Sequence, residues 1–309
     1  MVAEVTRDDI EDAASRVVGH VRLTPVVNLG RALSSDWDLI LKLDHLQPTG
    51  SFKVRGAFNL LKARDLTTEV VAASGGNFGK AVAYAARELG VASVIFVPGT
   101  SPQEKIGQIA KYGAEVHVID GYYDDALVAS QEYVNRQGGY LAHAYDQAEV
   151  MAGQGTLGRE LTSQVPNLST IVVAVGGGGL IGGIASWVRG DARLIGVEPV
   201  GCPSLHAARK AGGPVTAPVG GVASSSLGAS KIGEHTWLAN RWIDESVLVE
   251  DDAILEAQRW LWENSRLWVE PGAASTIAAL LTGAVEPGPA ETVVAVLSGA
   301  NVALGDGSD

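Results

Sequence analysis

With 309 residues the chain can bury roughly 75% of the surface its unfolded form exposes, and at that size single cores begin to divide, so two lobes are expected. Its formal net charge of −12 works against nucleic acid or an anionic membrane as partner, and 46% apolar content excludes a disordered chain. The single cysteine, Cys202, excludes an intrachain disulfide and is simplest to place in the cytoplasm.

The predicted elements alternate in type. Thr6 with Asp9 reads as a capping box opening a helix that Gly19 would close; this N-terminus lacks the basic and apolar regions of a signal peptide. VVAAS (70–74) reads as a buried strand, NFGKAVAYAAREL (77–89) as a helix closed by Gly90, and VASVIFV (91–97) as the next strand. Ser101 as N-cap, Pro102 at the first helical position and Glu104 as capping acid open a helix that Gly113 stops. AEVHVID (114–120) is a strand, and DDALVASQEYVNRQ (124–137) is helical. A second series follows: TIVVAV (170–175), LIGGIASWV (180–188), ARLIGVE (192–198) and TVVAVLS (292–298). Residues 170–188 carry no charge and are long enough to cross a bilayer, but four consecutive glycines break such a helix.

This pattern predicts an α/β protein with two doubly wound parallel-sheet lobes and a cleft between them. Residues 212–230 read as a loop beside a ligand. A helix over 251–268 carries Trp260, Trp262 and Trp268, which suit a core or a subunit interface. The six histidines are scattered without an i,i+4 pair, so no metal site is expected.

Four motifs bear chemistry. In GSFKVRG (50–56), Lys53 lies beside an aromatic residue and between Gly50 and Gly56, which would let backbone approach a ligand closely; a desolvated amine there loses its proton readily, as imine exchange requires. Gly176, Gly177, Gly178 and Gly179 follow a strand and open a helix, where converging N–H groups and the helix dipole attract an anion. Ser74-Gly75-Gly76-Asn77 offers hydroxyl, amide and free N–H groups that suit a carboxylate. Ser298 ends a strand at the side where parallel sheets bind ligands, and its hydroxyl can donate to a pyridine nitrogen. An aldehyde with a phosphate arm, pyridoxal 5'-phosphate, uses both an amine and an anion cradle. A rival reading is a nicotinamide-dependent or NAD-sensing protein, since Gly177, Gly179 and Gly182 also satisfy G-x-G-x-x-G, with Glu198 placed for a ribose.

On Thr24-Pro25, KLDHLQPTGSFKVRGA, SGGNFG, HAYDQAEVMAGQGTLGREL, VGGGGLIGG, GVEP, VEPGA (269–273) and LSGAN (297–301), the chain resembles the serine/threonine dehydratase family of fold type II pyridoxal-phosphate enzymes, which includes serine racemase. The resemblance covers nearly the whole chain in family order. It implies that Lys53 forms the imine with the cofactor, that Phe52 packs near the ring, and that Asn77 bonds the ring's phenolic oxygen. It also implies a phosphate cup of Gly176–Gly179 with Leu180, Ser298 at the pyridine nitrogen, Glu270 near the ring, and Ser74, Gly75 and Asn77 around the substrate carboxylate. The implied architecture is a large lobe of residues 1–68 and 147–309, a small lobe of 69–146, and the cofactor in the cleft.

Dehydration of L-threonine or L-serine to a 2-oxo acid and ammonia is the expected activity, with a homodimer as the expected assembly. A β-replacement enzyme, or a dehydratase of another hydroxy amino acid such as hydroxyaspartate, is the alternative within the superfamily. Three departures from the family pattern stand out. Phe78 replaces the histidine of the Ser-x-Gly-Asn-His loop. Gly75 stands where racemases carry a serine acid/base, so elimination is expected without appreciable racemisation. Ser204 stands where metal-binding members carry a carboxylate six residues after Glu198. Only eight residues follow LSGAN in this sequence, so a C-terminal regulatory domain is not expected.

Overall fold

Two sheets organise the chain, and each is covered on both faces. The computed structural model describes residues 2–64 and 67–302. Residue 1 and residues 303–309 of the expected large lobe, with 65 and 66 at its inner boundary, lie outside the described residues. The chain runs α1 (Arg7–Val17), β1 (Val26–Gly30), β2 (Asp38–Lys42), α2 (Lys53–Arg64), β3 (Val70–Ala73), α3 (Asn77–Leu89), β4 (Ser93–Pro98), α4 (Gln103–Ala110), β5 (Glu115–Ile119), α5 (Tyr123–Gln137) and β6 (Tyr140–Ala142). It continues α6 (Ala148–Gln164), β7 (Thr170–Ala174), α7 (Gly179–Val188), β8 (Arg193–Pro199), α8 (Ser204–Ala211), α9 (Ser224–Leu227), α10 (Glu234–Ala239), β9 (Glu245–Val249), α11 (Asp251–Ser265), α12 (Pro271–Leu281) and β10 (Thr292–Val296).

The larger sheet has the order β1-β2-β10-β7-β8-β9, and the smaller has the order β5-β4-β3-β6. All pairs are parallel except the edge pair β1–β2. That edge departs from the parallel expectation because too few residues separate β1 from β2 for a crossover, which takes a dozen or more.

Alternation along the strands sorts the cores. Ile171, Val173, Leu194 and Val294 face α1, α6 and α7, whereas Val172, Ala174, Ile195 and Val293 face α11 and α12. In the smaller sheet Val70, Ala72 and Ile95 pack with α2 and α3, and Val71, Ala73 and Phe96 pack with α5. Buried on both faces, such strands read as continuous apolar runs, which is why the sequence showed them.

Three local expectations shift. The helix expected from Ser101 starts at Gln103 with Pro102 as N-cap, and no side chain caps it, so the Ser101 hydroxyl has no capping duty. Helix α11 stops at Ser265, where Arg266 takes a left-handed conformation (φ 57°). Of the three tryptophans expected on it only Trp260 packs on the core; Trp262 is 48% exposed and Trp268, beyond the helix end, 43%, so the core reading fails for those two. The uncharged stretch 170–188 divides into β7, a glycine turn and α7, and among the described residues no helix is long and apolar enough to cross a membrane.

Candidate active site

A cavity of about 640 Å³ opens where the loops at the carboxyl ends of β3, β4, β5, β6 and β7 converge. Crevices at that side of parallel sheets are where ligands bind. Its lining includes Lys53, Ser74, Gly75, Asn77, Ser101, Tyr123, Tyr145 and Gly177, together with the serine-rich segment 224–230. Phe52, Gly176, Gly178, Gly179, Leu180, Glu270 and Ser298 are not among the lining residues.

Lys53 is the first residue of α2. Its side chain is half-buried, but the amine is enclosed by protein and donates to the Ala144 carbonyl at 2.9 Å. The Phe52 and Phe78 rings stand 5.1 and 5.8 Å from that amine. No carboxylate pairs with it among the described residues, and burial lowers its pKa to about 8. Phe78 is buried in the small-sheet core, so the residue in the family's histidine position serves packing and flanks the amine.

The segment carrying Lys53 is anchored from below by a buried ion cluster that the sequence pattern does not reveal. Arg55 donates to both oxygens of Asp44 (2.9 and 2.7 Å) and both oxygens of Glu160 (2.7 and 2.9 Å). Lys42 donates to Glu160, Gln164 and the Thr24 carbonyl, each at 2.8 Å. Removing one partner of such a cluster leaves an uncompensated buried charge, a change that costs about 3–5 kcal/mol. Gly50 and Gly56, read as openings toward a ligand, instead make room for protein. A Cβ on Gly50 would meet the Asn301 side chain, and one on Gly56 would meet Gln154 and the Val150 carbonyl of α6.

Asn77 is engaged on both sides of its amide. Its Nδ2 donates to the two Glu270 oxygens at 3.0 and 2.9 Å, and its Oδ1 accepts from Asn301 Nδ2 at 2.7 Å. Lys80 donates to Asn301 Oδ1, and the Asn301 N–H donates to Glu270. Asn301 therefore ties α3 to the segment after β10, a role its place in LSGAN did not reveal. Ser298 is buried beside this cluster, and its carbonyl accepts from the Phe52 N–H at 3.0 Å.

Protein crowds the Cβ positions of the glycine turn before α7, while Gly177 still borders the cavity. A Cβ on Gly177 would enter the Tyr145 ring, one on Gly176 would meet the Leu227 backbone, and one on Gly178 would meet Ile232 and Thr236. Gly178 also has φ +89°, a conformation that L side chains rarely adopt. Packing thus accounts for the four glycines, where the sequence alone suggested an anion cradle. The N–H groups of Gly177, Gly178, Gly179 and Leu180 nevertheless donate to nothing among the described residues.

Glu198 does not face a ribose. It is fully buried; Oε1 accepts from the Leu205 N–H and lies 3.2 Å from the Ser204 hydroxyl, and Oε2 accepts from the His206 N–H and the Ser246 hydroxyl. The dinucleotide reading loses its acid on that ground. Ser204 donates to the Gly176 carbonyl at 2.5 Å, linking the buried carboxylate to the glycine turn. Among the described residues no group of three His, Cys, Asp or Glu side chains could hold a metal ion.

One premise of the sequence reading fails. Gly75 has no side chain, but the place its Cβ would take is filled by the Ser101 hydroxyl. Registration of Ala73 against Phe96 brings the ends of β3 and β4 together and delivers Ser101 there.

The donor set fits a phosphorylated aldehyde. An enclosed, unpaired amine of lowered pKa faces a cavity whose wall includes a glycine turn with unused N–H groups at a helix start.

The family described as "Pyridoxal-phosphate dependent enzyme" matches residues 17–299. An L-threonine ammonia-lyase of Geobacter sulfurreducens is 36% identical over 284 residues, covering 89% of this chain and 71% of that protein. A threonine deaminase from the organism abbreviated T.th. superposes with TM-score 0.90 at 32% identity, covering 97% of this chain and 99% of that one. A serine racemase from Dictyostelium discoideum gives TM-score 0.90 at 31% identity, covering 98% and 100%.

Proposed function

The chain belongs to the pyridoxal-phosphate dependent enzymes, and from that membership we propose an ammonia-lyase that removes water from L-threonine or L-serine to give a 2-oxo acid and ammonia. The observation that carries this reading is Lys53: an enclosed amine, unpaired with any carboxylate and lowered to about 8, facing a cavity beside the Ser74–Asn77 turn. The named relatives support the substrate class, being an L-threonine ammonia-lyase and a threonine deaminase.

Each residue has a proposed task. Lys53 anchors the cofactor, Phe52 flanks it, and Gly176–Gly179 with Leu180 hold its phosphate. Asn77, held from behind by Glu270, and Ser298 would meet the polar atoms of its ring. When bound, the cofactor supplies an aldehyde for imine exchange and a ring that takes up the electrons left at Cα. Ser74, Gly75 and Asn77 receive the substrate carboxylate, where the N–H groups at the start of α3 have no partner among the described residues. Lys53 Nζ then takes the Cα proton. A base titrating near 8 is poised for this at neutral pH, where an ordinary lysine is not. The Cα–H electrons expel the β-hydroxyl, which takes up a proton and leaves as water, and hydrolysis by water then releases the 2-oxo acid and ammonia.

We further propose that residues 69–146 form the small lobe, that 1–68 and 147–309 form the large one, and that the protein works as a homodimer in the cytoplasm. The buried free thiol of Cys202 and the exposed Trp262 and Trp268 support the compartment and the assembly.

The test is a screen of hydroxy amino acids for oxo-acid release by purified protein, with its visible absorption followed through borohydride reduction. An imine band that borohydride bleaches is expected, and Lys53→Ala is expected to lose turnover by at least about 10⁴-fold, a loss of about 5.5 kcal/mol of barrier lowering. Near-normal turnover in Lys53→Ala would remove Lys53 from its role. A colourless protein that releases no oxo acid would remove the proposed activity.

A further inference from the structure

We propose that Ser101 is the second acid/base of this site and that the enzyme inverts Cα of its amino-acid substrate alongside eliminating water. The proposal rests on the reading of Lys53 given above and goes beyond it.

Four observations carry it. The Ser101 hydroxyl fills the space into which a side chain on Gly75 would point, so a hydroxyl reaches the 74–77 turn from a different loop. Ser101 lines the same cavity as Lys53. Its hydroxyl is free for substrate, since it caps no helix and makes no hydrogen bond among the described residues. The two groups enter from different walls. Lys53 comes from the start of α2 and is held to Ala144 in the loop after β6, and Ser101 comes from the loop after β4. The β3-β4 and β3-β6 pairings place those two loops on opposite sides of the β3 turn. In the proposed pose, a carboxylate held by that turn sets Cα one bond away, within reach of the amine from one wall and the hydroxyl from the other.

The step balances in protons. The Cα–H bond breaks and its proton goes to the Lys53 amine. A new Cα–H bond forms on the other face with the Ser101 hydroxyl proton. Lys53 then gives its extra proton to solvent, and the Ser101 oxygen takes one back through the open mouth of the cavity. No oxidant or co-reactant is needed. L-Serine yields D-serine by this route, and L-threonine yields its Cα epimer, D-allothreonine.

The experiment incubates the holoenzyme with L-serine in deuterated water and measures D-serine by chiral separation, deuterium at its Cα, and pyruvate. Cα-deuterated D-serine is expected from the wild type. The ratio of D-serine to pyruvate is expected to fall at least about tenfold in Ser101→Ala, since a positioned acid/base contributes 10²–10⁴-fold. The cofactor dissociation constant of that variant, read by tryptophan fluorescence, is expected to stay unchanged, separating loss of a proton donor from loss of the cofactor. The double variant Gly75→Ser with Ser101→Ala, which returns a hydroxyl to the turn, is expected to recover the ratio and keeps the test open should Ser101→Ala fold poorly. Pyruvate without D-serine in the wild type, or an unchanged ratio in Ser101→Ala, overturns the proposal and leaves the dehydratase reading standing. Failure to form pyruvate or 2-oxobutyrate from any hydroxy amino acid overturns the reading beneath it instead.

Discussion

The turns before α3 and α7 share one plan and meet opposite fates. Each follows a buried parallel strand, each is rich in glycine, and each opens a helix at the carboxyl edge of its sheet. The α7 turn is enclosed: Tyr145, Leu227, Ile232 and Thr236 stand where its side chains would go, and Ser204 ties it to a buried carboxylate. The α3 turn faces the cavity at every residue from Ser74 to Asn77, and only at Gly75 does a neighbour occupy the missing side chain's place. In one turn glycine lets a fixed wall close around unused N–H groups. In the other it admits a reactive group from elsewhere in the chain. A glycine run therefore does not announce a ligand by itself; what its missing side chains make room for decides its role.

The sharpest way to break this comparison is Gly178→Ala. A methyl there adds strain at φ +89° and would stand only 2.5 Å from the Ile232 and Thr236 side chains. Strained backbone and overpacking each cost about 1–3 kcal/mol, so a combined loss of about 3 kcal/mol is expected in urea unfolding, with weaker cofactor binding. A loss below about 1 kcal/mol would show that the α7 turn is not enclosed as described.

Next comes the carboxylate behind that turn. Burial raises the Glu198 pKa to about 7, against the opposing pull of the Leu205 and His206 N–H groups and two serine hydroxyls. The unfolded chain releases this proton near the ordinary value of 4.5, so between 4.5 and 7 the folded state holds a proton that the unfolded state has lost. Stability must therefore fall as pH rises through that window, by an amount on the order of 3 kcal/mol. Glu198→Gln is expected to remove this slope when unfolding free energy is measured from pH 5 to 8. Parallel pH profiles for variant and wild type would show that the carboxylate is already ionised throughout.

What the sequence made legible, and what it hid, follows the same division. Lys53, the Ser74–Asn77 turn and the strand–helix alternation are readable because each rests on neighbours within a few positions. Ser101 reads as a helix cap in the sequence because its true neighbour, Gly75, is set by the pairing of β3 with β4. Asn301 has no visible role there because Asn77, Glu270 and Lys80 are distant in sequence and meet it only across the fold. The Lys42–Asp44–Arg55–Glu160 cluster is hidden for a related reason, since β2, the segment after it, α2 and α6 each contribute a charge that looks like an ordinary surface residue in a string of letters.

A smaller effect tests the pair that most separates the two turns. Gly75→Ser alone is expected to cost about 1–2 kcal/mol, because its side chain and the Ser101 hydroxyl claim one space. In a Ser101→Ala background most of that cost should vanish, giving a coupling of about 1 kcal/mol in a double-mutant cycle of thermal or urea unfolding. Additive costs would mean that the two positions do not touch.

The smallest expected effect lies one residue further on. Gly76 has a negative φ of −132°, outside the left-handed region, and a Cβ there would find only the Ser225 carbonyl, at an ordinary 3.7 Å. Gly76→Ala is expected to change unfolding free energy by less than about 0.5 kcal/mol, the range of a substitution that breaks no named interaction. The contrast with Gly178→Ala is the point: two glycines in matching turns, given the same methyl, should differ several-fold in cost because only one has a wall behind it. A large loss at Gly76 would place a wall there too, most directly by bringing the serine-rich segment 224–230 closer to the α3 turn than it stands here.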